Sequence, residues 1–172
     1  VNFPDTLIIQ DKYQFKPELP FAPGGEVSGI VASVGENIKH VKKGDRVFAL
    51  TGWGGFAAYA LADGHKCLPM PEGMDFVTGA TTMYTCGTSF HALKQRANIQ
   101  PGETLVVLGA AGGVGLAAVQ IGKLMGAHVI AAASSDEKLA LCILSGADEI
   151  INYTTQDLKA KIKELTNGKG AD

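Results

Sequence analysis

The chain has 172 residues, of which 46% are hydrophobic and 19% charged, and its formal net charge is −2. That balance excludes a disordered polyelectrolyte and describes a globular chain able to bury a core. It excludes a basic face for nucleic acid, because Lys39, Lys42 and Lys43 form only a short cluster read as a solvated turn. Up to about residue 70, short apolar runs alternate with Gly, Pro and Asp, as in an all-β domain, and strands are predicted at 26–34, 46–50 and 55–61. Pro69-Met70-Pro71-Glu72-Gly73 breaks the pattern, and 76–93 reads as a helical connection. After Gln100-Pro101-Gly102 the texture becomes strand–helix alternation. Strands are predicted at 104–108, 128–133 and 149–152, with helices at 113–125, 136–145 and 155–165. The fold class expected is α/β, a β domain followed by a parallel doubly wound sheet, with the boundary placed between 1–88 and 89–172.

No apolar run reaches the ~18 residues that a membrane helix needs, since the richest stretch, 105–119, is interrupted by Gly109, Gly112, Gly113 and Gly115. No membrane partner is expected. The three cysteines, Cys67, Cys86 and Cys142, fit neither a disulfide framework nor a CxxC knuckle, so a reducing compartment, the cytoplasm, is expected. The chain opens on Val1-Asn2-Phe3-Pro4 and closes on a turn-rich Gly168-Lys169-Gly170-Ala171-Asp172, where an α/β chain would launch another strand. It therefore reads as a fragment of a longer protein.

The strongest chemical signal is Leu108-Gly109-Ala110-Ala111-Gly112-Gly113-Val114-Gly115, between a buried strand and a helix. Read as GxGxxG it carries Ala110 in the first glycine position, followed by Gly112 and Gly115. Gly112 would let the backbone approach a pyrophosphate, Gly115 would let helix and strand pack closely, and the helix N-terminus would supply free N–H groups. An NAD site would place Asp or Glu at the end of the next strand to hold the ribose 2′-hydroxyl, but that position falls at Ala133. Ser134, Ser135 and Lys138 offer hydroxyls and a cation instead, which suits a 2′-phosphate and hence NADPH. The same serines also read as helix caps, with Asp136 and Glu137 favouring the first turn's dipole, and the two readings are compatible.

Several motifs occur in order: Asn2-Phe3-Pro4-Asp5, Tyr13-Gln14, Leu19-Pro20-Phe21-Ala22-Pro23-Gly24-Gly25-Glu26, Gly44-Asp45-Arg46-Val47 and the glycine loop. Together they resemble the quinone-oxidoreductase branch (zeta-crystallin-like) of the zinc-independent medium-chain dehydrogenases/reductases. The resemblance implies a GroES-like β domain, then the first half of a Rossmann domain, and a homodimer when the protein is full length. It also implies site residues. Asn2, Asp5 and Tyr13 would line the catalytic pocket, with Asp5 equally readable as a turn or cap residue after Pro4. Thr88 would touch the nicotinamide side, Ala111, Gly112, Gly113 and Val114 would hold the pyrophosphate, and Ser134, Lys138 and Tyr153 would surround the 2′-phosphate. Leu7 stands where some relatives carry a tyrosine, so their acceptor preference does not transfer.

The zinc enzymes of the same superfamily use Cys, His and Cys as ligands; the corresponding positions here are Asn2, Gly25 and Tyr84, and no metal is expected. His40, His65, His91 and His128 read as surface or packing residues, and Cys67 and Cys86 as small hydrophobes. Without a metal, the chemistry would rest on positioning a reduced nicotinamide against an electron-poor carbon, with Tyr13 and Asn2 hydrogen-bonding the acceptor oxygen. The leading expectation is an NADPH-dependent reductase of a small quinone or enone. The alternatives are a zinc-free enoyl-thioester reductase and, in another class, an NADPH-binding structural or sensor protein without turnover.

Overall fold

In the computed structural model, which describes residues 1–172, the chain divides into a unit Val1–Tyr84 and a unit Thr85–Asp172. In the first, strands β1 (Glu26–Ile30), β2 (Arg46–Leu50) and β3 (Cys67–Pro69) form an antiparallel sheet in the order β1-β2-β3. Ser28 stands opposite Phe48, and Phe48 opposite Leu68. Val47 and Ala49 alternate inward along β2 and are buried, as are Val41 and Ile8, the last residue of helix α1 (Phe3–Ile8). The Arg46 guanidinium lies 4.7 Å from the centre of the Phe76 ring, a cation–π contact that ties β2 to helix α2 (Phe76–Gly79).

Two expectations for this unit are corrected. β1 ends at Ile30 rather than at 34, because its partner β2 begins at Arg46, directly opposite Ile30. Beyond it Val31 alone continues the pairing, its N–H donating to Asp45 O at 2.9 Å and its carbonyl accepting the Gly44 N–H at 2.9 Å. No strand forms at 55–61: no neighbouring strand offers it a ladder, and Tyr59 and Leu61 stand 83% and 95% exposed. The third strand is the three-residue Cys67–Pro69, too short to give a periodic signal.

The helical connection at 76–93 is not one helix. Helix α2 is capped by Asp75, whose carboxylate accepts the Thr78 N–H at 2.8 Å, and it stops after four residues. Thr81 and Thr82 turn their hydroxyls back onto carbonyls of that helix, Thr82 Oγ1 donating to Thr78 O at 2.7 Å, which competes with continued helix. From Met83 to Arg96 the chain winds as π-helix (Met83–Gly87), α3 (Thr88–Phe90) and π-helix again (His91–Arg96).

In the second unit, strands β4 (Thr104–Leu108), β5 (His128–Ala133) and β6 (Glu149–Asn152) are parallel, in the order β4-β5-β6. Helices α4 (Gly113–Leu124), α5 (Asp136–Leu144) and α6 (Leu158–Leu165) cover both faces. Val119 of α4 and Cys142 of α5 pack with Val107, Val129 and Ala131 on one face; Leu158, Ile162 and Leu165 of α6 pack with Ile130, Ala132 and Ile151 on the other. Central β5 is accordingly apolar at consecutive positions, as a doubly covered parallel strand must be. Helices α4 and α5 stop one residue short of the predicted ends. α6 starts at Leu158 rather than 155, because the Asp157 carboxylate caps it by accepting Ala160 N–H at 2.7 Å while Thr154 and Thr155 fold back onto Asn152. No helix is long and apolar enough to cross a membrane. The architecture is α/β: a GroES-like β unit followed by the first half of a doubly wound Rossmann sheet.

Candidate functional site

The C-terminal ends of parallel strands are where an open α/β sheet leaves a crevice. Here a cleft of about 170 Å³ is lined by Gly109, Ala111, Gly112, Ala133, Ser134, Lys138 and Tyr153, contributed by the turns after β4, β5 and β6. Five of these had been singled out from the sequence; Gly109 and Ala133 complete the lining. The tight turn is made by Gly109, with φ 61°, one residue before the position where the fingerprint places its first glycine. Ala110 is instead fully buried, its N–H donating to Ala132 O at 3.1 Å. At Gly115 an added Cβ would come within 2.5 Å of Gly109 O and 2.7 Å of Ala110 Cα, so only glycine lets α4 lie this close to the turn.

Helix α4 begins after Gly112 with no side-chain cap, leaving the N–H groups of its first turn directed at the cleft end with a partial positive charge. Gly113 and Val114 form that first turn without lining the cleft. The turn is held by Ser89, 2% exposed, whose hydroxyl donates to Val114 O at 2.8 Å; Thr88, beside it on α3, is exposed and lies outside the cleft lining. The Ser89 brace was missed from the sequence, since nothing in the spacing of a lone serine marks a distant carbonyl as its partner.

On the far wall, Lys138 Nζ donates to Ser134 Oγ at 2.9 Å, placing cation and hydroxyl side by side. Ser135 caps α5, accepting the Lys138 N–H, so the cap and the cation–hydroxyl pair coexist on adjacent serines. The end of β5 carries Ala133 and no acid. A small apolar floor, free amides and a lysine fit a nucleotide bearing an extra phosphate on its ribose.

In the first unit, Asn2, Asp5, Gly25, Glu26 and Tyr84 form one polar network. Asp5, 4% exposed, accepts the Asn2 N–H at 2.7 Å through one oxygen and the Gly25 N–H at 3.0 Å through the other. Its two oxygens are thus engaged in bracing backbone. Glu26, 8% exposed, accepts Asn2 Nδ2 at 2.8 Å and the Tyr84 N–H at 3.0 Å. Glu26 was not foreseen; its place at the head of β1 gave no sign of two long-range donors. The Tyr84 ring covers Gly25 so closely that a Cβ there would be 2.7 Å from its Oη. Burial raises the Tyr84 phenol above its ordinary value, and the nearby Tyr13, Asp5 and Glu26 push it the same way. Tyr13 is half-buried, its ring centroid 6.0 Å from that of Phe15.

The three positions aligned with zinc ligands do converge, but they offer an amide, no side chain and a phenol, and the phenol fills the space over Gly25. That set does not fit zinc. Nor does any other group of three or more His, Cys, Asp or Glu side chains assemble in a form that could hold a metal ion. Of the histidines, His40 and His65 stack at 6.4 Å, His91 pairs with Gln95, and His128 stands 3.7 Å from Asp148.

Residues 1–72 match the alcohol dehydrogenase GroES-like domain and residues 113–172 match the zinc-binding dehydrogenase domain. Along its whole length the chain is 43% identical to a quinone oxidoreductase-like protein 2 homolog of Nematostella vectensis and 40% identical to a quinone oxidoreductase of Homo sapiens, covering 47% and 53% of them. The chain thus spans about half the length of the curated relatives it matches. Among solved structures it superposes on Escherichia coli quinone oxidoreductase complexed with NADPH, with a TM-score of 0.92 at 35% identity, over 98% of this chain and 52% of that one. A probable oxidoreductase from Mycobacterium abscessus gives 0.91 at 39% identity, over 100% and 54%. Two ordered domains, identity over the full chain and a shared fold agree: the chain carries the alcohol dehydrogenase GroES-like domain followed by the zinc-binding dehydrogenase domain, and is similar along its whole length to quinone oxidoreductases.

Proposed function

We propose that the chain is part of an NADPH-dependent oxidoreductase that reduces a quinone or another conjugated carbonyl acceptor without zinc. The observation that carries this reading is the cleft at the ends of β4, β5 and β6, where Lys138 and Ser134 stand together and Ala133 replaces the acid of an NAD site. The relative from Escherichia coli named as complexed with NADPH supports the same cofactor.

In this reading Ala111, Gly112, Gly113 and Val114 bind the pyrophosphate through their amides, of which the Gly112 N–H also donates to Gly109 O at 3.0 Å, and Ser134, Lys138 and Tyr153 bind the 2′-phosphate. Thr88 serves the nicotinamide side. The reduced nicotinamide supplies a hydride when bound. Asn2 presents its carboxamide to the acceptor oxygen, with one Nδ2 proton committed to Glu26 and the other free. Tyr13 donates to the same oxygen as charge develops there. Asp5 acts by positioning Asn2, whose backbone it holds. Tyr84, kept protonated by burial, occupies the place where a metal would sit and leaves polarisation of the acceptor to hydrogen bonds. The domain boundary at 88/89, a cytoplasmic location and a homodimer belong to the same proposal; light scattering of the protein as its host makes it tests the last.

The test is consumption of NADPH, followed by absorbance, with a 1,4-naphthoquinone as acceptor and with and without a zinc chelator. Turnover unaffected by the chelator is expected. Turnover abolished by chelation and restored by zinc would contradict the proposal, and binding of NADPH with no reduction of quinones, enones or enoyl thioesters would favour a sensor role.

A further inference from the structure

Strand β6 ends on Asn152, and each polar group of that residue is engaged. Its N–H donates to Gln156 Oε1 at 3.0 Å, and its carbonyl accepts the Gln156 N–H at 2.9 Å. In the side chain, Oδ1 accepts the Thr154 N–H at 3.1 Å and its hydroxyl at 2.6 Å. Nδ2 donates to Asp136 Oδ1 at 2.7 Å. These partners fix which end of the amide is nitrogen. The Thr154 hydroxyl also lies 3.3 Å from the Ser134 carbonyl, so Asn152 joins the turn after β6 to the turn after β5.

Those two turns form the wall of the cleft that carries Ser134, Lys138 and Tyr153. Asp136 lies between Ser134 and Lys138 in sequence, as the first residue of α5, and is the acid nearest along the chain to Ser134, while Glu137 follows it beside Lys138. A carboxylate free at this rim would repel a 2′-phosphate and compete for the Lys138 ammonium. It would also accept a bond from an unphosphorylated ribose 2′-hydroxyl, as the acid of an NAD site does. Neither is its arrangement here. Lys138 Nζ is bonded to Ser134 Oγ and forms no ion pair with Asp136, whose carboxylate is held by Asn152.

We infer that Asn152 is a specificity-determining positioning residue: by holding the Asp136 carboxylate against β6, it keeps the Ser134–Lys138–Tyr153 wall open to a phosphorylated ribose. The inference rests on the NADPH reading above. It assigns to a residue outside the cleft lining the discrimination between two nucleotides that differ by one phosphate.

The test is fluorescence titration of NADPH and of NADH into the protein as its host makes it, its Asn152→Ala variant and the double variant Asn152→Ala/Asp136→Ala, with melting curves to verify folding. Asn152→Ala is expected to weaken NADPH about tenfold while NADH binds equally well or tighter, and removal of Asp136 in that background is expected to restore NADPH. Asn152→Asp keeps the shape and the bonds accepted from Thr154 but repels Asp136. It is expected to lower the NADPH-to-NADH preference as well, and it serves if the alanine variant does not fold. Equal weakening of both nucleotides, or no recovery in the double variant, would overturn the inference. An unsubstituted protein with no preference for NADPH would overturn the reading beneath it instead.

Discussion

Strands β5 and β1 are of similar length and have opposite fates. From Val129 to Ala133, β5 is at most 1% exposed, with helices over both faces of its sheet. β1 ends on Ile30, 63% exposed, beside an open cavity of about 980 Å³ lined by Val27, Val41, Val47, Leu61 and Val77 among others. The second unit fixes the turns at its strand ends from beneath, by close packing under each strand. The first unit fixes its candidate residues laterally, through the buried carboxylates of Asp5 and Glu26 and the Tyr84 ring. One candidate site is set by apolar packing, the other by a polar network.

The largest effect that sharpens this contrast comes from cutting side chains in each unit. Ile130→Ala removes a fully buried side chain from the centre of the second unit and is expected to cost about 2–5 kcal/mol, read by chemical denaturation. Leu61→Ala, at a side chain 95% exposed, is expected to stay within about 0.5 kcal/mol. Comparable losses at both positions would break the comparison.

Close approach supplies the next effect. Gly115→Ala would push a methyl into Gly109 O and Ala110, which are backbone and cannot yield, and is expected to cost about 1–3 kcal/mol and to weaken nucleotide binding. Gly25→Ala meets the Tyr84 side chain instead. Its cost is expected to be of similar size, about 1–3 kcal/mol, but to shrink in a Tyr84→Ala background, where the contacting ring is gone. Additive costs in that double-mutant cycle would mean that the ring does not set the requirement for glycine.

The smallest effect is electrostatic. Burial alone would raise the Asp148 carboxyl, but hydrogen bonds from Lys123 Nζ and the Val129 N–H, with the Lys123 and His128 charges, hold it below its ordinary value of 3.8. A depressed folded pKa stabilises the fold above the unfolded value and loses that contribution as pH falls through the folded one. Melting temperature is therefore expected to decline less steeply below pH 4 in Asp148→Asn than in the unsubstituted chain. Parallel declines would show that the ion pair contributes nothing.

Where local pattern and burial coincide, the sequence was readable. β2, β4, β5 and β6 carry unbroken apolar or alternating runs between Gly, Pro and cap residues, and their limits follow from those runs. The run at 55–61 has the same look, yet pairing depends on a neighbouring strand that no local pattern encodes. That Ala111, Gly112, Ser134, Lys138 and Tyr153 share one cleft was readable because they are clustered at three successive strand ends. Glu26, Ser89 and Asn152 were not, because each acts through partners 16 to 58 residues away: Asp136 for Asn152, Asn2 and Tyr84 for Glu26, and Val114 for Ser89.

The central claim is that the turns after β4, β5 and β6 hold a phosphorylated nucleotide through Lys138. Its most direct test is the affinity of NADPH against NADH, measured by fluorescence titration with and without Lys138→Ala. The account predicts a clear preference for NADPH that falls by about 10- to 100-fold in the variant while NADH is little changed. Equal affinities for the two nucleotides, or a preference that survives the loss of Lys138, would contradict it.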